Sequence, residues 1–217
     1  MNRLSFLLIY LMCLSSCSNL NNASVQNMDF NPISVSAKWR YSYSHNFGSS
    51  LYSRQESGYR EIKIESEDSY RDSNVYTATV SDSVDQKIEY SLVNSAPTVT
   101  TPFMHRYTIF IIEYKNGKMR VVNDGKENTI DAMLAHAFRS KSYPDSMITL
   151  DTINGGPVYS VTFTQSGSSV YFNDIGMKSF YYHGCSGGQV CPLMYDLIEY
   201  QINNQNRVVS FANTLKR

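Results

Sequence analysis

The chain has no long hydrophobic run, no block of like charge and no obvious cluster of metal-binding residues. Its longest apolar stretch, Leu4 to Leu14, holds 11 residues, well short of the roughly 20 that a helix needs to cross a bilayer. A domain following that stretch is therefore expected to be soluble in its own right. Lys+Arg and Asp+Glu balance at 19 each. With no basic run among them, that balance argues against nucleic acid as a partner and against electrostatic docking on anionic lipid. Cysteine is scarce, at four residues, and three of the four histidines (His45, His105, His136) are scattered. His183 does lie near Cys185 and Cys191, but zinc usually takes four ligands in tight local pairs and no fourth one is at hand. No metal and no cofactor is expected.

What the sequence has in quantity is tyrosine, 17 residues in all, along with frequent Ser, Thr and Val. These types fit a pleated, half-buried surface and favour strands. Trp39, Tyr41, Tyr43 and His45 alternate with Arg40, Ser42, Ser44 and Asn46, a two-residue period that reads as a strand. Ile62 and Ile64 set against Glu61, Lys63 and Glu65 make a second candidate, Val75 to Val80 a third, and Ile88, Tyr90 and Leu92 a fourth. The segment from Asn94 to Met104 carries Pro97 and Pro102 and reads as a loop or strap, because neither proline suits a central strand. His105 to Tyr114 is the most apolar candidate and runs into Asn116-Gly117, a pair preferred in two-residue type I′ hairpin turns. Lys118 to Val122 then returns. Further strands are expected at Met147 to Ile153, Val158 to Thr164, Val170 to Phe172, Lys178 to Tyr182, through Ile198, Tyr200 and Ile202, and from Arg207 to Phe211.

Only one segment has a strong helical period. Ile130, Met133, Leu134, Ala137 and Phe138 recur at three- and four-residue spacings, with Asn128 or Thr129 as a cap and Tyr143-Pro144 as a stop. The expected fold is mainly β, of α+β type: a strongly curved antiparallel or barrel-like sheet of about ten strands, with one amphipathic helix over an open face or end. Residues 37–217 read as a single domain, and the residues expected to fill its core include Trp39, Tyr41, Tyr43, Ile109, Ile111, Tyr159, Val161, Phe163, Ile198 and Tyr200. Ahead of it, the Asn- and Ser-rich stretch 18–36 reads as a flexible tether that spans roughly 25 Å as a random coil.

The amino-terminal stretch has its own logic. Arg3 precedes the apolar run, which ends in Leu14-Ser15-Ser16-Cys17. This resembles the lipobox of bacterial lipoproteins, an aliphatic residue and two small residues before the cysteine that is acylated. The resemblance covers the leader alone. It implies that residues 1–16 are a signal peptide, that Cys13 leaves with it, and that Cys17 carries the acyl chains anchoring the protein to the cell envelope. Ser18, standing where an Asp would signal retention, implies the outer membrane if the organism is Gram-negative. Removing residues 1–16 takes away one cation and no acid, leaving a formal charge of −1, so acyl chains would do the holding.

Cys185 and Cys191 then remain. They flank Ser186-Gly187-Gly188-Gln189-Val190, and in an oxidising compartment they read as a disulfide closing a small glycine-rich loop. Gly184-Cys185-Ser186-Gly187-Gly188 matches the G-x-S-x-G pattern of a nucleophile elbow. However, no histidine follows it, and a strand-like alternation stands where the helix should be. The acidic residues Glu65, Glu67, Asp68 and Asp72 mingle with Arg60, Lys63 and Arg71, which describes a solvated strand end and turn. Trp39, Tyr41 and Tyr43 are the candidate ligand-facing aromatics, with core packing as the commoner role of such a row. The expectation is a non-enzymatic binding or assembly module that docks an envelope protein. The alternative is a carrier of an apolar ligand, similar in general plan to lipocalin-like proteins, and an envelope hydrolase ranks last.

Overall fold

A computed structural model describes residues 32–48, 52–90, 99–124, 132–138, 146–153, 156–163, 168–172, 175–182, 191–202 and 205–208. They form one 11-stranded antiparallel sheet and a short helix. The strands are β1 (Lys38–Gly48), β2 (Tyr52–Ser69), β3 (Ser73–Tyr90), β4 (Val99–Tyr114) and β5 (Met119–Asn123), followed by the helix α1 (Ala132–Ala137). Then come β6 (Ser146–Ile153), β7 (Gly156–Phe163), β8 (Ser168–Phe172), β9 (Gly176–Tyr182), β10 (Leu193–Ile202) and β11 (Gln205–Val208). The order across the sheet is β5-β4-β3-β2-β1-β10-β9-β8-β7-β6. β9 pairs with β10 along Leu193–Asp196, and β11 takes the next stretch, Glu199–Ile202. Short connections dictate this antiparallel meander.

The sheet curls into a half-barrel around α1, which touches β5 and β9 although these strands stand far apart in the order. Register shifts at Arg40/Tyr41, Ile64/Ser66 and Val170/Tyr171 mark β-bulges, and each bulge bends its strand and adds twist. One row across the inner face runs Tyr200, Trp39, Ile62, Val80, Tyr107. Along with Tyr41, Ile64, Tyr76, Ala78, Ile109, Ile111 and Leu197 it makes the core, onto which α1 and the residue after it turn Met133, Leu134, Ala137 and Phe138. Burying a side chain such as Leu134 contributes roughly 1.5–3 kcal/mol. That gain, rather than its own hydrogen bonds, holds so short a helix in place.

Several expectations are corrected here. The helix has six residues, fewer than the spacing from Ile130 to Phe138 suggests, and Ile130 and both cap candidates lie outside the described residues. Pro102 does sit in a strand, because that part of β4 is an edge, where a proline nitrogen costs no ladder bond. The turn at Asn116-Gly117 is not type I′, which needs positive φ at both residues. Only Gly117 has it, at 77°, and the bonds Gly117 N–H to Tyr114 O and Tyr114 N–H to Lys118 O describe a type I turn closed by a glycine bulge. Ile198 is only half-buried, because the bulge at Arg40/Tyr41 makes Tyr200 and Leu197 the inward residues. Tyr43 is half-buried too. The side chains of Tyr159, Val161 and Phe163 lie outside what is described. The ordered chain reaches back beyond Ala37: Ile33 packs on the core, and Ser36 N–H bonds Ile64 O at 3.0 Å.

Candidate functional site

The inner face divides into two zones. Beneath α1 it is apolar and filled. Trp39 is 3% exposed and meets Phe138 edge to face at 5.9 Å between centroids. Its indole N–H donates to Ile175 O at 2.6 Å, and the Tyr41 hydroxyl donates to Met177 O at 3.1 Å. Burial, with Tyr171 nearby, pushes the Tyr41 hydroxyl far up from its ordinary value, so it stays a neutral donor. The Tyr171 hydroxyl bonds His136 O, and His136 Nδ1 lies 3.0 Å from Ser169 Oγ, which ties α1 to β8. Gly176 has a φ of 103°, and a Cβ there would stand 3.3 Å from the Trp39 indole nitrogen. Glycine serves both needs. The space left between Trp39, Tyr41, Phe138 and Gly176 is about 10 Å³, room for about one water.

Beyond α1 the same strands turn charged groups inward. Successive rows read Tyr41, Arg60, Asp82, His105, then Tyr43, Gly58, Val84, Phe103, then His45, Glu56, Gln86, Thr101. Arg60 is 7% exposed and grips Asp82 with two bonds of 2.7 Å. Its guanidinium also lies 5.0 Å from the Tyr195 ring centroid, with Nη1 3.8 Å from Met133 Sδ. The first residue of this group to be expected on the surface is thus the one that joins the charged zone to the helix. Glu56, 5% exposed, collects four partners. Tyr43 donates to it at 2.6 Å, Gln86 and Arg54 reach it at 2.8 Å each, and His45 Nδ1 lies 3.4 Å away. Burial pushes the Glu56 carboxyl up, but the bonds from Tyr43 and Gln86 and the charge of Arg54 outweigh it and hold the group below the usual carboxylate range. The same contact, added to burial, raises the Tyr43 hydroxyl. At Gly58 a Cβ would come within 2.0 Å of Ser83 O, so β2 and β3 approach here more closely than a side chain allows.

Among the described residues, coverage fails at β4. β5 pairs only with Ile109–Glu113, and every residue from Thr100 to Arg106 is exposed, whichever face it points to. Phe103 is exposed, and Met104 is 87% exposed. An edge strand with large apolar side chains in water is the kind of surface that natural sheets usually cover or charge.

Of the residues singled out from sequence, Trp39 and Tyr41 are core side chains under α1, and Tyr43 holds Glu56. Cys191 is buried. Cys185, Cys17 and the glycine motif 184–188 lie outside the described residues. Among the described residues no three His, Cys, Asp or Glu converge as a metal site, and no helix is long and apolar enough to cross a membrane. Glu65, Glu67, Asp68 and Asp72 are exposed as expected, but Arg60 is not. The Glu56 and Arg60 network went unread because Arg54, Glu56, Gly58 and Arg60 carry no apolar alternation. Their signal is charged residues at a two-residue spacing, interrupted by Gly58, with Asp82 opposite Arg60 and Gln86 opposite Glu56 on the next strand. Comparison with protein-family models, with curated proteins and with solved structures finds no match to this chain.

Proposed function

We propose that this protein is an envelope lipoprotein, anchored through acylated Cys17, whose β-domain is a non-enzymatic docking or assembly module. A Cys185–Cys191 disulfide belongs to the same reading, as does attachment to the outer membrane in a Gram-negative cell. The observation that carries the docking role is the stretch Thr100–Arg106, exposed on both faces and, among the described residues, without a strand paired to its outer edge. A carrier of apolar ligands gains less support. Ligand pockets run to about 300–1,000 Å³, whereas the space described under α1 is about 10 Å³.

Two measurements test the reading. Labelled palmitate should enter the wild-type chain and not Cys17→Ala, which should stay unprocessed or freely soluble. Label in the variant removes the anchor. Separately, a photoreactive side chain placed at Met104 in the full-length protein, in cells, should give one discrete adduct. The same probe at Tyr70, in the turn after β2 and also exposed, should give none. No adduct at Met104, or the same pattern from both positions, would contradict docking through β4.

A further inference from the structure

We infer that the bare edge of β4 pairs with the β4 edge of a second copy of this chain, antiparallel and centred on Phe103. This deepens the docking reading and rests on β4 being the docking element. The backbone fixes the kind of occupant. Tyr114 donates its N–H toward β5, to Lys118 O, and the β3–β4 ladder runs from Ser73↔Tyr114 to Ile88↔Val99 without a register shift. With a period of two, the even-numbered residues of β4 all present their backbone groups on that side. Past β5 this leaves the N–H and C=O of Thr100, Met104 and Arg106 and the C=O of Pro102 along one edge that, among the described residues, has no paired strand. Water satisfies such a row one group at a time, whereas an extended strand satisfies it as a whole by adding to the sheet.

The side chains favour a copy of the same strand. Centring on Phe103 sets it opposite Phe103 of the second copy as a non-hydrogen-bonded pair, an arrangement in which aromatic side chains contact closely. Met104 then faces Pro102, His105 faces Thr101, and Arg106 faces Thr100. Apolar residues meet apolar ones, and the Arg106 guanidinium and the His105 ring each meet a hydroxyl. The two Arg106 side chains stand about 20 Å apart along the strands, beyond the reach of their repulsion at physiological salt. Met104 N–H finds Pro102 C=O in both directions, and Thr100 and Arg106 exchange both of their bonds. Pro102 has no N–H to give, which leaves one acceptor on each strand unmet and keeps the contact weak. So short a pairing falls at the small end of specific interfaces, and anchoring both copies in one membrane would supply the local concentration it needs.

The test is cysteine cross-linking of the full-length protein in its own membranes under mild oxidation. Phe103→Cys should form a disulfide dimer, because directly opposed residues of this pair type have Cα atoms about 4.5 Å apart, within disulfide range. Met104→Cys, diagonally displaced by about 8 Å, and Tyr70→Cys should stay at the wild-type background, at least about ten-fold lower. Adding Met104→Pro to Phe103→Cys removes a donor from the edge at an exposed side chain, and should return the dimer to background. No dimer from Phe103→Cys, equal dimer from all three positions, or a dimer that survives Met104→Pro would overturn self-pairing. A photo-adduct at Met104 with a different protein, without the Phe103→Cys dimer, would overturn self-pairing while leaving the docking role standing.

Discussion

The same four strands, β1 to β4, build two unlike surfaces along their length. Under α1 the inward positions are Trp39, Tyr41, Ile62, Ile64, Ala78, Val80, Ile109 and Ile111, all buried. A few residues further along, the inward positions are Arg60, Glu56, Asp82, Gln86, His45 and, at the exposed margin, Phe103 and His105. Backbone pairing continues through both zones, shifted among these four strands at Ile64/Ser66 alone, so the ladder does not create the difference. The helix does. Where α1 supplies apolar partners, burial stabilises. Where it stops, buried groups need partners of opposite charge, and the strands provide them across one another. The division ends at Thr100–Arg106 of β4, which among the described residues has no outer neighbour and is exposed throughout.

The comparison breaks hardest under the helix. Phe138→Ala removes the edge-to-face contact with Trp39 and opens a cavity in a filled core, and it should cost about 3–5 kcal/mol in denaturant unfolding. A loss below about 1 kcal/mol would mean that the helix face is not packed on the sheet.

In the charged zone, Arg60→Ala leaves Asp82 without its two bonds and should cost about 3 kcal/mol. The double variant Arg60→Met, Asp82→Leu should regain most of that loss, because an apolar pair of similar volume often replaces a buried ion pair at no net cost. If the double variant is no more stable than Arg60→Ala, the pair does more than fill and neutralise its site.

Glu56 gives a smaller effect that depends on pH. Its carboxyl is held below the ordinary range in the folded chain. Its contribution is therefore fully present above the unfolded-state value and is lost as pH falls through the folded one. Melting temperature should drop on acidification below about pH 4.5, and Glu56→Gln should flatten that part of the profile. Asp196 acts with the opposite sign, because burial raises its carboxyl, so the comparison with Glu56→Gln isolates the one group. An acid limb unchanged by the substitution would show that the four contacts do not hold Glu56 ionised.

Legibility in the sequence follows the same division. The apolar zone announces itself: the alternation from Trp39 to His45 and the spacing from Met133 to Phe138 both record which side chains leave water. The single antiparallel sheet and its covering helix follow from them. What hydrophobic periodicity misses is everything held by charge or by backbone shape. Ser53 to Tyr59 has no apolar rhythm, so this part of β2 gives no strand signal although its Glu56 is buried. Pro102 argues against a strand only when that strand has neighbours on both sides. Ile198 looks inward-facing until the bulge at Arg40/Tyr41 shifts the pairing. The bare stretch of β4 is legible only once the length of β5 is known, because exposure of an edge depends on what the next strand fails to cover.

The most direct measurement compares the melting temperature of the full-length protein, extracted from the cells that make it, before and after exhaustive removal of non-covalent lipid. With Trp39, Tyr41, Leu134 and Phe138 packed together in the core beneath α1 and about 10 Å³ in the space that Trp39, Tyr41 and Phe138 line, delipidation should leave the melting temperature unchanged. A drop of several degrees, reversed by returning the extracted lipid, would contradict a packed interior with its working surface on β4, and would make the space under the helix the binding site.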